Sequence, residues 1–375
     1  MMKKRFWAVV LLIATVGVGP AFAAETSVKG TVYADWMLNS TSGANNYNAF
    51  TIDRAYFGAE SKLSDYTNLR IVFDIRPERF STSATRLFDS EGDTVNVPSL
   101  SAYSGYPVVL KYAYADVKIK PWAKILKARI GMQPTMYLYY VEGYWNRRYI
   151  EKSANDLNGW TSTSDLGLTA LANLDKQGNL GEVGASVLNG TKYNDFVDKN
   201  NNKDLNFFGK LTPFYNDSNF SQVALFGQFY TGVQNVTLAA NESGSDWKRQ
   251  IASVGGKLAY QKKVDFCADL DFQTLGQGLG NADRKQRALS LFGSIYLNEL
   301  APSSSLLKTL NLYGRFDSYD PNTKVADDGY SLVVAGLECA PVKGFRASLA
   351  YKQKSPQATG ALDEKYVMVN TEFKF

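Results

Sequence analysis

Val367-Met368-Val369-Asn370-Thr371-Glu372-Phe373-Lys374-Phe375 alternates between two kinds of side chain. Val367, Val369, Phe373 and Phe375 share one parity; Asn370, Glu372 and Lys374 share the other. Successive side chains of a β-strand point to opposite faces, so the segment reads as a strand with one apolar and one polar face. Val28–Trp36 and Leu69–Arg76 repeat the pattern. Sixteen such runs follow one another, near 27–38, 49–63, 68–77, 108–120, 125–134, 163–174, 180–189, 204–213, 219–231, 249–262, 263–275, 286–298, 306–318, 329–341, 343–354 and 363–375. Clusters of Asn, Asp, Gly and Ser separate them. No window after residue 24 carries helical periodicity over three turns.

The connections obey a rule. Those after even-numbered runs are short, such as Ser64-Asp65-Tyr66-Thr67 and Val342-Lys343-Gly344; those after odd-numbered runs are mostly long, such as 78–107, 135–162, 190–203 and 232–248. A closed barrel with one short-turned and one long-looped end accounts for this; a soluble sandwich does not. The runs also exceed the usual soluble strand of about five or six residues and match the roughly 9–11 tilted residues that span a bilayer. The predicted fold is all-β: a transmembrane antiparallel β-barrel of sixteen strands, with short periplasmic turns and long extracellular loops.

The start of the chain supports export. Lys3, Lys4 and Arg5 form a basic region, Phe6–Val18 is a short apolar stretch, and Ala21-Phe22-Ala23 is a small-x-small cleavage site. Residues 1–23 therefore read as a signal peptide and 24–375 as the barrel, placed in a bacterial outer membrane. Removing the three basic residues takes 41 Lys and Arg to 38, against 36 Asp and Glu, so no overall basicity argues for nucleic acid. In such a barrel the apolar face meets lipid and the polar face lines the lumen. The outward set includes Val32, Trp36, Phe57, Ile71, Phe73, Ile130, Leu225 and Leu349; the lumen set includes Asp74, Gln133, Lys257, Asp269, Lys352 and Glu372. One place resists: Phe50 and Ile52 share parity with Arg54, which demands a bulge or loop contact near Asp53. The two cysteines, Cys267 and Cys339, have opposite parity on non-neighbouring strands, so no disulfide is expected between them.

The 375 residues contain no His, which removes Ser-His-Asp triads, Cys-His pairs and His-ligated metals from consideration. No catalytic residue, cofactor or metal is expected. Asp198-Lys199-Asn200-Asn201-Asn202-Lys203-Asp204 has a calcium-loop composition without the carboxylate spacing, and reads as a solvated extracellular loop.

Several segments resemble the phosphate-selective branch of Gram-negative porins. They are Phe50-x-Ile52-x-Arg54-Ala55-Tyr56-Phe57, Arg129-Ile130-Gly131-Met132-Gln133-Pro134-Thr135 with Glu142, Trp145, Arg147-Arg148 and Ile150-Glu151-Lys152 beyond it, and Lys210-Leu211-Thr212-Pro213. The terminal Phe375 looks like an outer-membrane assembly signal. The resemblance implies a sixteen-stranded homotrimer in which the segment after the fifth strand, 135–162, folds into the lumen and narrows it. The composition of 135–162 agrees, because its Tyr and Trp side chains need a surface to cover.

The candidate pore-lining residues are Arg70, Arg76, Arg129, Glu142, Arg147, Arg148, Arg315 and Arg346. Arg129, Arg147 and Arg148 are expected to supply positive potential at the constriction, unless ion pairs with Glu142 and Glu151 merely pin the loop. Asp74, Asp269, Asp271, Asp317 and Glu372 share the lumen. The expected function is a porin: a water-filled channel for passive diffusion of small hydrophilic solutes or ions, with a weak anion preference. The alternative is an outer-membrane transporter of hydrophobic compounds; it usually carries an N-terminal hatch, for which a first strand starting near Ser27 leaves no chain.

Overall fold

The structure, a computed structural model, describes residues 25–41, 48–77, 85–88, 94–97, 105–195, 197–220, 222–304 and 307–375. The expected signal peptide, 1–23, lies outside the described residues. The strands are β1 Glu25–Asn39, β2 Asn48–Lys62, β3 Thr67–Ile75, β4 Thr85–Phe88, β5 Thr94–Val97, β6 Val108–Lys118, β7 Leu126–Pro134, β8 Ser164–Asn173, β9 Gly181–Leu188, β10 Asp204–Leu211, β11 Gln222–Val233, β12 Lys248–Tyr260, β13 Val264–Leu275, β14 Arg284–Tyr296, β15 Leu310–Asp320, β16 Tyr330–Val342, β17 Phe345–Pro356 and β18 Glu364–Lys374. Among the described residues three α-helices interrupt them: α1 Met136–Trp145, α2 Ala154–Leu157 and α3 Leu297–Leu300.

Sixteen of the strands form one closed barrel, and every neighbour in it is antiparallel. Among the described residues β4 and β5, inside the long 78–107 connection, pair with each other and not with the barrel. The barrel closes between β1 and β18, where Gly30 and Phe375 exchange backbone hydrogen bonds of 3.0 and 3.1 Å. Closure leaves no sheet edge, the condition for burying strands in lipid. At the short-turned end, β16 passes to β17 through Lys343 and Gly344; Gly344 adopts φ 84°, which a side chain would strain.

Alternation sorts the side chains as expected. Phe57, Ile130, Leu225, Phe229 and Leu349 are exposed on the outer wall, whereas Asp74, Gln133, Asp269, Asn370 and Glu372 are buried towards the lumen. Among the described residues no helix is long and apolar enough to cross a membrane. The irregularity needed near Asp53 is present. Tyr33 pairs with Arg54 and Ala34 with Ile52, so Asp53 is an extra residue that lets Phe50 and Ile52 face out while Arg54 faces in. A second shift lies between β3 and β6, where Val72 pairs with Tyr112 and Phe73 with Leu110, making Lys111 the extra residue. Cys267 and Cys339 are both free.

α1 was not legible as a helix, for a physical reason. Met136, Tyr137, Leu138, Tyr140, Val141 and Trp145 are all buried, on more than one face of the helix. A helix apolar all round has no 3.6-residue stripe to detect. It ends at Asn146, whose left-handed φ of 52° stops the helix while its N–H still reaches the Glu142 carbonyl at 2.9 Å.

Candidate functional site

The segment between β7 and β8 leaves the wall and enters the lumen. Its base is pinched by Thr135, whose N–H donates to the Thr163 carbonyl at 3.2 Å and whose hydroxyl donates to the Ser162 carbonyl at 2.7 Å. α1 then lies along one side of the barrel. Tyr140 meets Phe208 with ring centroids 6.4 Å apart, Tyr144 meets Phe226 at 5.0 Å, and Trp145 stands edge-on to Phe292 at 5.4 Å and Tyr313 at 6.0 Å. These wall aromatics point into the lumen, where alternation alone leads one to expect polar groups. The lumen is apolar where the inserted segment covers it, and burial of each large side chain there stabilises docking by roughly 1.5–3 kcal/mol.

Beyond α1, polar contacts fasten the segment to β14–β17. Glu338 is the centre of this set. It accepts from the Tyr149 hydroxyl at 2.6 Å, from Arg147 Nη2 at 3.3 Å and from Arg346 Nη1 at 3.4 Å. Arg147 also donates to Ser294 Oγ at 2.9 Å and lies 4.6 Å from the Tyr313 ring centre. Arg315 grips Asp317 through two nitrogens, at 2.8 and 2.5 Å, and donates to the Lys152 carbonyl at 2.6 Å. Glu151 pairs with Lys352 at 3.1 Å. Burial alone would raise the Glu151 carboxyl, but Lys352 and Arg315 beside it hold it below its ordinary value.

With one side of the lumen filled, open space remains against β1, β2, β3 and β6. There a cavity of about 230 Å³ is bounded by Tyr33, Tyr56, Arg70, Lys111 and Tyr112 on the wall and by Tyr139, Glu142 and Arg148 on the segment. A second cavity, of about 700 Å³, lies at the short-turned end beneath α1 and shares Tyr139 with the first. In the smaller cavity Arg70 is 3.2 Å from Glu60 and 5.1 Å from the Tyr112 ring centre. Arg148 is 2.9 Å from Asp156 and 3.8 Å from Glu142. Lys111 differs: its ammonium donates to the Tyr56 hydroxyl at 3.1 Å and sits 4.3 Å above that ring, and among the described residues no carboxylate lies within ion-pair distance.

The eight sequence-derived candidates therefore separate by place. Arg70, Glu142 and Arg148 come together around the smaller cavity. Arg129 is buried in a two-pronged pair with Asp116, at 2.6 and 2.9 Å, beneath the Tyr114 ring. Arg147 and Arg315 hold the segment, and Arg346 lies between Glu338 and Glu372. Arg76 is nearer the long-looped end, 5.8 Å from the Tyr193 ring. Lys111 was missed because its parity, shared with Ala113, points to lipid. That parity was itself the signal: a cation in the lipid-facing wall costs about 2–4 kcal/mol at the midplane, and a bulge that turns it inward avoids the cost. Among the described residues no group of three His, Cys, Asp or Glu side chains is arranged to hold a metal ion.

No family model matches the chain, and no curated protein matches it in sequence. Solved structures match it in fold. OmpT of Vibrio cholerae in its trimer form superposes with TM-score 0.58 at 11% identity, covering 94% of this chain and 100% of that one. OmpF of Salmonella typhi, solved with daunomycin, gives 0.57 at 13% identity, covering 94% and 98%. The outer-membrane channel DcaP of Acinetobacter baumannii gives 0.57 at 11% identity, covering 94% and 97%. The chain thus has the fold of outer-membrane barrels.

Proposed function

We propose that this chain is an outer-membrane porin through which small hydrophilic solutes and ions diffuse passively between the inserted segment and the wall of β1, β2, β3 and β6. The observation that carries this reading is the cavity bounded by Arg70, Lys111 and Arg148 within a closed barrel whose outer wall is apolar. A constriction lined by fixed charges beside a low-dielectric wall selects by size and sign without covalent chemistry. Arg129, Arg147, Arg315 and Arg346 are paired with carboxylates away from the smaller cavity, Arg147 among them holding the segment, whereas Arg70, Lys111 and Arg148 border that cavity and set its field. With Glu60, Glu142 and Asp156 close by, the anion preference is weak and not specific for phosphate. A homotrimer exported through residues 1–23 completes the proposal; the trimer form of the Vibrio cholerae protein supports it by likeness of fold. Reversal potentials of the reconstituted protein in a KCl gradient test it. We expect discrete ohmic steps and a modest shift towards chloride; absence of conductance from folded protein would overturn it.

A further inference from the structure

Tyr193 belongs to the connection between β9 and β10, yet its side chain touches β2, β3 and β6. Around the wall, β8, β7 and β6 separate β9 from β3, so the contact is made across the lumen. Lys192 and Asp195 exchange backbone hydrogen bonds of 3.2 and 3.0 Å, closing a tight turn with Tyr193 at its tip. The base of the turn is fastened. Asp165 on β8 accepts from the Gly190 N–H at 2.9 Å and the Thr191 hydroxyl at 3.1 Å, and Arg249 on β12 donates to the Gly190 carbonyl at 2.9 Å. At the tip the phenol donates to Asp74 at 2.6 Å and accepts from Arg54 at 3.2 Å. Arg54 itself reaches Asp74 at 2.6 Å. Arg76 and Lys111 lie 5.8 and 5.7 Å from the ring centre. In the same connection Asp198, Lys199, Asn201 and Lys203 are exposed, as expected from their composition, whereas Thr191 and Tyr193 are buried, and so is Asp204, which opens β10 and meets Arg249 rather than solvent.

The level of this contact matters. Asp74 is one lumen-facing step, about 7 Å, beyond Val72 towards the long-looped end, and Val72 lines the constriction with Lys111. A solute arriving from that end therefore meets the Tyr193 ring before it meets Lys111. The ring is held by a charge-assisted hydrogen bond at its tip, so it opposes bulk and hides one side of the lysine.

We propose that the turn around Tyr193 is a hook across the long-looped entrance of the constriction, and that Tyr193 determines which solutes reach Lys111. This rests on the reading of the chain as a channel. Hooked, the phenol narrows the entrance; released, it exposes Arg54, Arg76 and Lys111 together and admits larger anions.

The test compares wild type, Tyr193→Phe, Tyr193→Ala and Asp74→Asn by single-channel recording and by liposome swelling with a size series of neutral and anionic solutes. Heat-resistant electrophoretic migration confirms folding. Losing the phenol hydroxyl in Tyr193→Phe removes its bonds with both Asp74 and Arg54 and should raise the unhooked fraction at least about tenfold, ~1.4 kcal/mol, seen as more frequent transitions to a larger conductance. Tyr193→Ala should accelerate the largest solutes most, anions more than neutral ones, and Asp74→Asn should move both readouts the same way. If Tyr193→Ala does not fold, Tyr193→Phe, which keeps the ring, carries the test. Unchanged transitions and size limits in folded Tyr193→Phe and Asp74→Asn would overturn the hook while leaving the channel intact. A wild type that does not conduct would instead overturn the channel reading beneath it.

Discussion

Replacing Glu338 by Gln should loosen the inserted segment without disturbing the barrel. Glu338 is almost wholly buried and takes two hydrogen bonds from the segment, 2.6 Å from Tyr149 and 3.3 Å from Arg147. A hydrogen bond to a charged group contributes about 1.5–3 kcal/mol, with long ones at the low end. Gln keeps a carbonyl acceptor but removes the charge beneath Arg147, whose guanidinium stays buried. We therefore expect docking of the segment to weaken by about 2–4 kcal/mol, which is on the order of a hundredfold in the docked-to-undocked ratio. The wall contact from Arg346 is also weakened, but Arg346 retains Glu372 at 2.6 Å. Single-channel recording reads the effect as new low-frequency noise and excursions to higher conductance, with heat-resistant migration unchanged. Glu372→Gln is the control, because Glu372 pairs only with the wall residues Arg346 and Lys374 among the described ion pairs. Equal noise in Glu338→Gln and wild type would refute the claim that this carboxylate pins the segment.

Arg147 and Arg148 should separate on mutation: Arg147→Ala raises noise with little change in reversal potential, whereas Arg148→Ala, at the cavity, shifts the reversal potential towards cations; the converse result refutes the assignment. Glu151 has its carboxyl lowered in the docked state, so its contribution is present at neutral pH and lost as pH falls through that lowered value. Noise from this source should begin in wild type only below the ordinary Glu range near about 4.3, and be present at pH 7 in Glu151→Gln; onset in wild type near pH 6 with a quiet Glu151→Gln contradicts this. Deleting Asp53 removes a bulge and restores plain alternation, so the barrel should still assemble, whereas deleting Ile71 inverts the rest of β3 and should prevent assembly; heat-resistant migration decides. A non-reduced digest should yield Cys267 and Cys339 on separate alkylated peptides, and a linked pair would refute the strand register.

Most of the barrel was legible because lipid enforces the alternation on every strand. All sixteen runs correspond to strands, with ends displaced by a few residues for local reasons. The run near 306–318 begins only at Leu310 because Leu307–Thr309 forms a 3-10 turn before it. The bulge at Asp53 was legible as a conflict between Ile52 and Arg54. The equivalent conflict at Lys111 is weaker, since Val109 and Ala113 are small and give little sign of which face they take. The interior was less legible. The lumen is apolar at Phe208, Phe226 and Phe292 only because α1 covers them, and tertiary cover leaves no periodic trace in either partner. Ion pairs were equally hidden. Arg129 and Arg148 look alike in sequence, and only the folded barrel sets Asp116 against the first and the open cavity beside the second.

The central claim is a water-filled path past Tyr139, the half-exposed side chain that borders both cavities. Tyr139→Cys in a Cys267→Ser, Cys339→Ser background places one thiol on that path. Single-channel conductance before and after a negatively charged methanethiosulfonate reagent is the direct test. We expect open channels whose conductance falls stepwise on modification, while the thiol-free background that retains Tyr139 is unaffected. Folded protein that does not conduct, or conducts without responding after the thiol is shown to be modified, would contradict the claim.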